Sequence, residues 1–136
     1  MDDSKNKGAT MYIVHKRIEI AGSHSLKLPY KSKCENLHGH NWIIDIEVSA
    51  TELDKNGMVL DFTHIKQCVT DKLDHKHLNN VVDVNPTAEN LAKWIADAID
   101  LSISYSIASS LVSNISAGVS KVTVQESEGN VACYIP

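Results

Sequence analysis

No stretch of this sequence approaches the ~18 consecutive apolar residues that a membrane-spanning helix needs, and no basic segment followed by an apolar one stands near its start. A cytoplasmic location, with no membrane partner, is the expectation. Basic runs are missing too. The 13 basic residues face 17 acidic ones, for a formal charge of −4, which argues against nucleic acid as the main partner. Cysteine is scarce and odd in number, three in 136 residues without framework spacing, which argues against a disulfide scaffold and fits a reducing compartment. There are no internal repeats and no low-complexity tracts. What remains is 43% hydrophobic and 22% charged, the composition of an ordinary globular protein, at a length that suits one domain with a single core. Residues 1–10, polar and without periodicity, read as a flexible N-terminus, and 11–136 as that domain.

The chain is organised around Cys34-Glu35-Asn36-Leu37-His38-Gly39-His40-Asn41-Trp42. If a strand begins at His38, then His38, His40, Trp42, Ile44, Ile46 and Val48 share one face, with Ile43 the exception among the polar odd positions. Upstream, Tyr12, Val14, Ile18 and Ile20 share parity with His24, and Lys16 is the misfit. Antiparallel pairing of these strands sets His24 opposite His38 or His40, where facing Cβ atoms are ~5 Å apart. An isolated His-x-His is more often an ordinary turn. A third histidine of the right parity on the preceding strand makes a metal site the better account. Three neutral nitrogens leave an open coordination position, as in catalytic zinc sites, although imidazole also suits iron and other divalent metals. Cys34, beside Lys33 and near the proposed cation, is the thiol whose thiolate can be stabilised. Cys68 and Cys133 read as small buried hydrophobes.

Strands are expected at about 11–24 and 38–50, followed by turn chemistry ending in Asn56-Gly57. Asp61 caps a helix over about 62–73, with Phe62, Ile65, Val69 and Leu73 at helical spacing. Asp74-His75-Lys76-His77 closes it. A solvated helix end accounts for His77, whereas His75 is evenly balanced between that and a functional role. Pro86-Thr87-Ala88-Glu89-Asn90 opens a second helix, striped by Leu91, Trp94, Ile95 and Ala98, that runs to about residue 100. The segment 101–118 takes no assignment. Val119 to Glu126 alternates, Ser127 to Asn130 turns, and Val131 to Ile135 returns as a last strand. Glu126 ends an apolar face, where a carboxylate either twists out to water or binds a ligand. The ββααββ order predicts an α+β domain, an antiparallel sheet with two helices on one face.

His24, Cys34-x-x-x-His38-Gly39-His40, Asp61-Phe62, Asp74-His75-Lys76, Pro86 to Asn90 and Val122-x-Val124-x-Glu126, in this order from about 12 to 135, resemble the 6-pyruvoyl and 6-carboxytetrahydropterin synthase family. The three residues between the cysteine and His-Gly-His resemble the 6-carboxytetrahydropterin synthases of queuosine precursor biosynthesis; the biopterin enzymes usually have five. The resemblance implies the tunnelling fold (T-fold), in which subunits join sheets into a barrel with active sites between them, usually as a hexamer of two trimers. It implies 7,8-dihydroneopterin triphosphate as substrate, with 6-carboxy-5,6,7,8-tetrahydropterin, acetaldehyde and triphosphate as products.

It also implies roles: one zinc ion per subunit on His24, His38 and His40; Cys34 as general base; His75, oriented by Asp74, moving the second proton; Glu126 gripping the pterin, helped by Thr87 and Glu89. Lys27, Lys31 and Lys33 are triphosphate candidates by position alone. Two departures stand out. Ile20-Ala21-Gly22-Ser23 replaces a stretch that usually carries an aromatic residue, and 101–118 is longer than the family pattern. Two other functions remain open: triphosphate elimination to 6-pyruvoyl tetrahydropterin, and a non-catalytic zinc- or pterin-binding module.

Overall fold

The two segments with period-two alternation form a long antiparallel pair in the computed structural model, which describes residues 10–109 and 114–136. Strand β1 (Tyr12–His24) runs against β2 (His38–Ala50) without a break, from Tyr12 opposite Ala50 to His24 opposite His38. The pleat therefore puts Ile18, Ile20 and His24 on the same buried face as Trp42, Ile44, Ile46 and Val48. A slip of one residue would turn every one of these side chains to water.

Helix α1 (Phe62–Leu73) buries Ile65, Val69 and Leu73 against that face, and Asp61 caps it by accepting the Thr63 N–H at 2.8 Å. Helix α2 (Ala88–Ala108) is capped by Thr87, whose hydroxyl accepts from Asn90 N–H, and packs on β4 (Gly118–Ser127) and β5 (Asn130–Tyr134). The sequence places the end of this helix near residue 100, but it continues two turns further. Ile99, Ile103 and Ser106 carry its buried stripe onward. The intervening serines hide that stripe from a hydropathy pattern, yet the small Ser106 packs inside.

Asp74 to His77 depart from expectation more informatively. Lys76 and His77 form β3 (Lys76–His77), paired in parallel with Gly22 and Ser23. The sheet order is β3-β1-β2-β4-β5, mixed rather than wholly antiparallel. A backbone bond from His75 N–H to the Ala21 carbonyl, 2.8 Å, draws this segment onto the edge of β1. Cys133 is another correction. It is exposed, because alternation along β5 turns Ala132 and Tyr134 toward the helices and Cys133 away. Cys68 is half-buried against the core, as a small hydrophobe would be. The flexible terminus expected over 1–10 lies outside the described residues except for Thr10, as does 110–113 within the unassigned segment. Among the described residues, no helix is long and apolar enough to cross a membrane.

Candidate metal centre and active site

His24 ends β1 and His38 begins β2, so antiparallel register alone puts them face to face. Their Nε2 atoms stand 2.9 Å apart. The opposite nitrogens explain what that contact means. His24 Nδ1 lies 2.8 Å from the Pro86 carbonyl and His38 Nδ1 lies 2.7 Å from the Asn36 carbonyl. A carbonyl only accepts, so each Nδ1 carries the proton and each Nε2 presents a lone pair. Two lone pairs at this separation repel unless a cation lies between them. Burial pushes the His24 pKa below its ordinary value, with the Pro86 carbonyl opposing, so this ring is held in the neutral form that ligates.

His40 completes the group. Its Nε2 is buried without a hydrogen-bond partner, although Glu126 Oε1 approaches to 2.9 Å out of alignment. Glu126 arrives there through a bulge: Gln125 pairs with Val131 and Ser127 with Asn130, leaving Glu126 unpaired between them. Such an extra residue re-aims a side chain. The ligand atoms of His24, His38, His40 and Glu126 all lie within 4.8 Å of one another. Trp42 packs edge-on against both His24 and His40, fixing the rings. Two lone-pair nitrogens, a third imidazole whose buried Nε2 has no hydrogen-bond partner, and a carboxylate oxygen suit a divalent cation such as zinc.

Cys34 lies half-buried in a short turn, Lys33–Glu35, initiated by Ser32, whose hydroxyl accepts the Cys34 N–H at 3.1 Å. Its carbonyl accepts from Leu26 N–H at 2.8 Å, which ties the thiol-bearing turn to a residue just past His24. Two asparagines hold the strip that does the tying. Asn79 both accepts from Ser25 N–H and donates to the Ser25 carbonyl, at 2.9 and 2.8 Å. Asn85 does the same to Lys27, at 3.0 and 3.1 Å. Their amides thereby continue, with side chains, the pairing that β3 begins with backbone.

His75 has a positive φ of 56°, the left-handed conformation that histidine adopts more readily than most residues. Its ring is 84% exposed and 3.6 Å from Asp74. Asp74 is anchored by accepting the Ala21 N–H at 2.9 Å. A cleft of about 430 Å³ opens between His40 and His75. Thr87 is occupied as a helix cap, and Glu89 is exposed in the first turn of α2. Neither joins the histidine group. They stand beside it through Pro86, whose carbonyl holds His24.

A family model described as 6-pyruvoyl tetrahydropterin synthase matches residues 13–136. The chain belongs to this family. It is 41% identical over 121 residues to a Pyrococcus horikoshii protein provisionally named 6-carboxy-5,6,7,8-tetrahydropterin synthase, across 65% of this chain and 76% of that one. It is 37% identical over 86 residues to the dihydroneopterin monophosphate aldolase of Pyrococcus furiosus, across 61% and 70%. The structure of Caenorhabditis elegans 6-pyruvoyl tetrahydropterin synthase superposes with a TM-score of 0.69 at 24% identity, covering 96% of this chain and 99% of that one. The fold is the T-fold of that structure, and the chain is an enzyme.

Within this 6-pyruvoyl tetrahydropterin synthase family member, the structure adds residues that sequence reasoning passed over. Asn79 and Asn85 look like loop residues in a linear reading, because their partners, Ser25 and Lys27, are more than fifty positions away. His77 reads as a helix end, yet its Nδ1 is 3.0 Å from Ser23 Oγ. Lys27, Lys31 and Lys33 form no ion pair among the described residues; Lys27 is tied through its backbone to Asn85, and the Lys33 carbonyl accepts from Asn36 N–H.

Proposed function

We propose that the chain converts 7,8-dihydroneopterin triphosphate and water into 6-carboxy-5,6,7,8-tetrahydropterin, acetaldehyde and triphosphate, with one zinc ion held by His24, His38 and His40. The pair of opposed Nε2 lone pairs, 2.9 Å apart, carries this reading, because it calls for a cation at the place where the substrate side chain would lie. Zinc bound there supplies positive charge that polarises the side-chain hydroxyls and lowers the cost of removing a carbon-bound proton.

The protein's own groups do the rest. Cys34, in the turn tied through Leu26 N–H to the segment just past His24, takes a proton as thiolate. His75 moves the second proton, with Asp74 fixing its tautomer and Ala21 N–H fixing Asp74. Glu126 offers two acceptor oxygens to the amino and ring N–H groups of the pterin; its 2.9 Å approach to His40 keeps it at the edge of the metal group. Thr87 and Glu89 lie at the start of α2, just after the Pro86 that holds His24, and assist with the pterin. The outer edges of β3 and β5 are unpaired in the single chain, which suits edge-to-edge closure of the sheets into a barrel, as a hexamer of two trimers.

A second function, carbon–carbon cleavage of a monophosphate, is favoured by the name of the Pyrococcus furiosus relative. Incubating zinc-loaded protein with 7,8-dihydroneopterin triphosphate, and following acetaldehyde and the pterin by mass spectrometry, separates the cases. Acetaldehyde with a carboxypterin supports the proposal. A pyruvoylpterin without acetaldehyde replaces it with the elimination reaction. Turnover only of the monophosphate replaces it with the aldolase. Intact substrate leaves a binding module.

A further inference from the structure

The cleft of about 430 Å³ that touches His40 also reaches the edge of the sheet where β3 pairs with β1. Its floor is nearly bare backbone, from Ala21, Gly22 and Gly39. The two glycines differ in role. A Cβ on Gly22 would press at 3.2 Å on the side chain of Leu78, which is buried in the core, whereas a Cβ on Gly39 would have only the Gly22 carbonyl near it, at 3.8 Å. The walls are His40, Asn41, Ser23, His75, Lys76 and His77. Among the described residues no carboxylate lines this cleft, although the chain carries 17 acidic residues and a net charge of −4. The adjacent Asp74 is turned away onto Ala21 N–H and His75.

We propose that this cleft is an anion subsite, with Lys76 and His77 as its principal donors, that takes the phosphate chain of the substrate; it rests on the function proposed above. Lys76 and His77 are set at the rim by β3, the two-residue strand that pairs them with Gly22 and Ser23. Lys76 forms no ion pair with a carboxylate among the described residues, so its ammonium is not committed to a protein partner. His77 is held by Ser23 at 3.0 Å. In the tautomer in which the Ser23 hydroxyl donates to Nδ1, the ring proton sits on Nε2, where it can be given to an anion. A compact ammonium over a floor of glycine backbone is a recurrent way to hold phosphate oxygens. The placement also gives the substrate a direction. The reacting side chain lies by His40 and the phosphates lie along β3, so the leaving group sits at the edge of the sheet rather than in the core.

The test is titration calorimetry of zinc-loaded protein with inorganic tripolyphosphate and, separately, with inorganic phosphate, with zinc content measured before and after to detect stripping. Lys76→Ala is expected to weaken tripolyphosphate binding at least tenfold and to flatten its salt dependence, with Lys76→Arg restoring most of it. His77→Ala is expected to weaken it severalfold. Lys66→Ala, on the exposed side of α1, is expected to leave it unchanged. Equal binding by wild type and Lys76→Ala overturns the inference, as does an equal loss in Lys66→Ala. Tripolyphosphate binding that depends on Lys76, without turnover of any phosphorylated pterin, removes the proposed reaction and leaves the subsite standing. Turnover whose KM is indifferent to Lys76→Ala does the reverse. Preference for inorganic phosphate over tripolyphosphate assigns the subsite to a single phosphate and supports a monophosphate substrate.

Discussion

His24 and His38 face each other through Nε2 at 2.9 Å, while each gives its Nδ1 proton to a main-chain carbonyl. Apposed lone pairs of this kind are a cost to the empty fold and a gain to the loaded one. Stripping zinc with a chelator should therefore lower the melting temperature measured by calorimetry. At free zinc a thousandfold above its dissociation constant the expected stabilisation is ~4 kcal/mol. His38→Ala should abolish the metal-dependent part of the shift. An unchanged melting temperature after complete stripping would argue against a resident ion.

Cys34→Ala should reduce turnover by ~10²–10⁴-fold, the usual contribution of a positioned base, with zinc content and melting temperature unchanged. The thiol is only half-buried, and Cys34 is held through its main-chain N–H and carbonyl, on the Ser32 hydroxyl and Leu26 N–H. Loss of zinc in this variant, measured by plasma emission, would make the cysteine a ligand instead.

Asp74 and His75 should separate in their effects. His75→Asn removes a ring that is 84% exposed and keeps a residue that accepts the left-handed backbone at φ 56°, so kcat should fall while denaturant stability holds. Asp74→Ala also orphans the Ala21 N–H that its carboxylate accepts, at a cost of ~1–3 kcal/mol. Parallel urea titrations with kcat measurements distinguish the two. Equal stability loss in both variants would place His75 in the framework.

Glu126→Gln keeps the size of the side chain and removes its charge. It should leave zinc content intact, because three imidazoles suffice to hold the ion, and should raise KM for the pterin about tenfold or more, as expected for a lost charge-assisted bond. Zinc loss would show that the carboxylate is a fourth ligand, consistent with its 2.9 Å approach to His40.

Asn79→Ala tests whether the strip at Ser25 positions the thiol. Two hydrogen bonds disappear, each worth ~0.5–1.5 kcal/mol. Beyond that stability loss, kcat should fall with KM little changed, and alkylation of Cys34, followed by peptide mass spectrometry, should change rate. Native alkylation and native kcat would make the clamp purely structural.

The parts of this protein that were legible in its sequence are those governed by local periodicity. Ile18, Ile20 and His24 share parity, as do His38, His40 and Trp42, and one antiparallel register joins the two sets. Glu126 was legible as an acid at the end of an apolar face, although the bulge that aims it was not. The rest depends on contacts between distant positions. Pairing of Ser23 with His77 and of Ser25 with Asn79 leaves no mark on hydropathy, since polar residues near a helix end look alike whether solvated or bonded. Helix α2 was cut short for a related reason: its last turns are buried with serine among the isoleucines.

The Pro86 carbonyl that accepts from His24 is the last one before the cap of α2, and 62 positions separate the two residues. His38 and His40 lie two positions apart on one strand, with His38's orienting carbonyl, Asn36, two positions before it. His24 acquires its partner only when α2 has docked across the sheet. The orientation of one candidate metal ligand therefore reports the seating of a helix far along the chain, whereas that of its neighbour is set within its own turn.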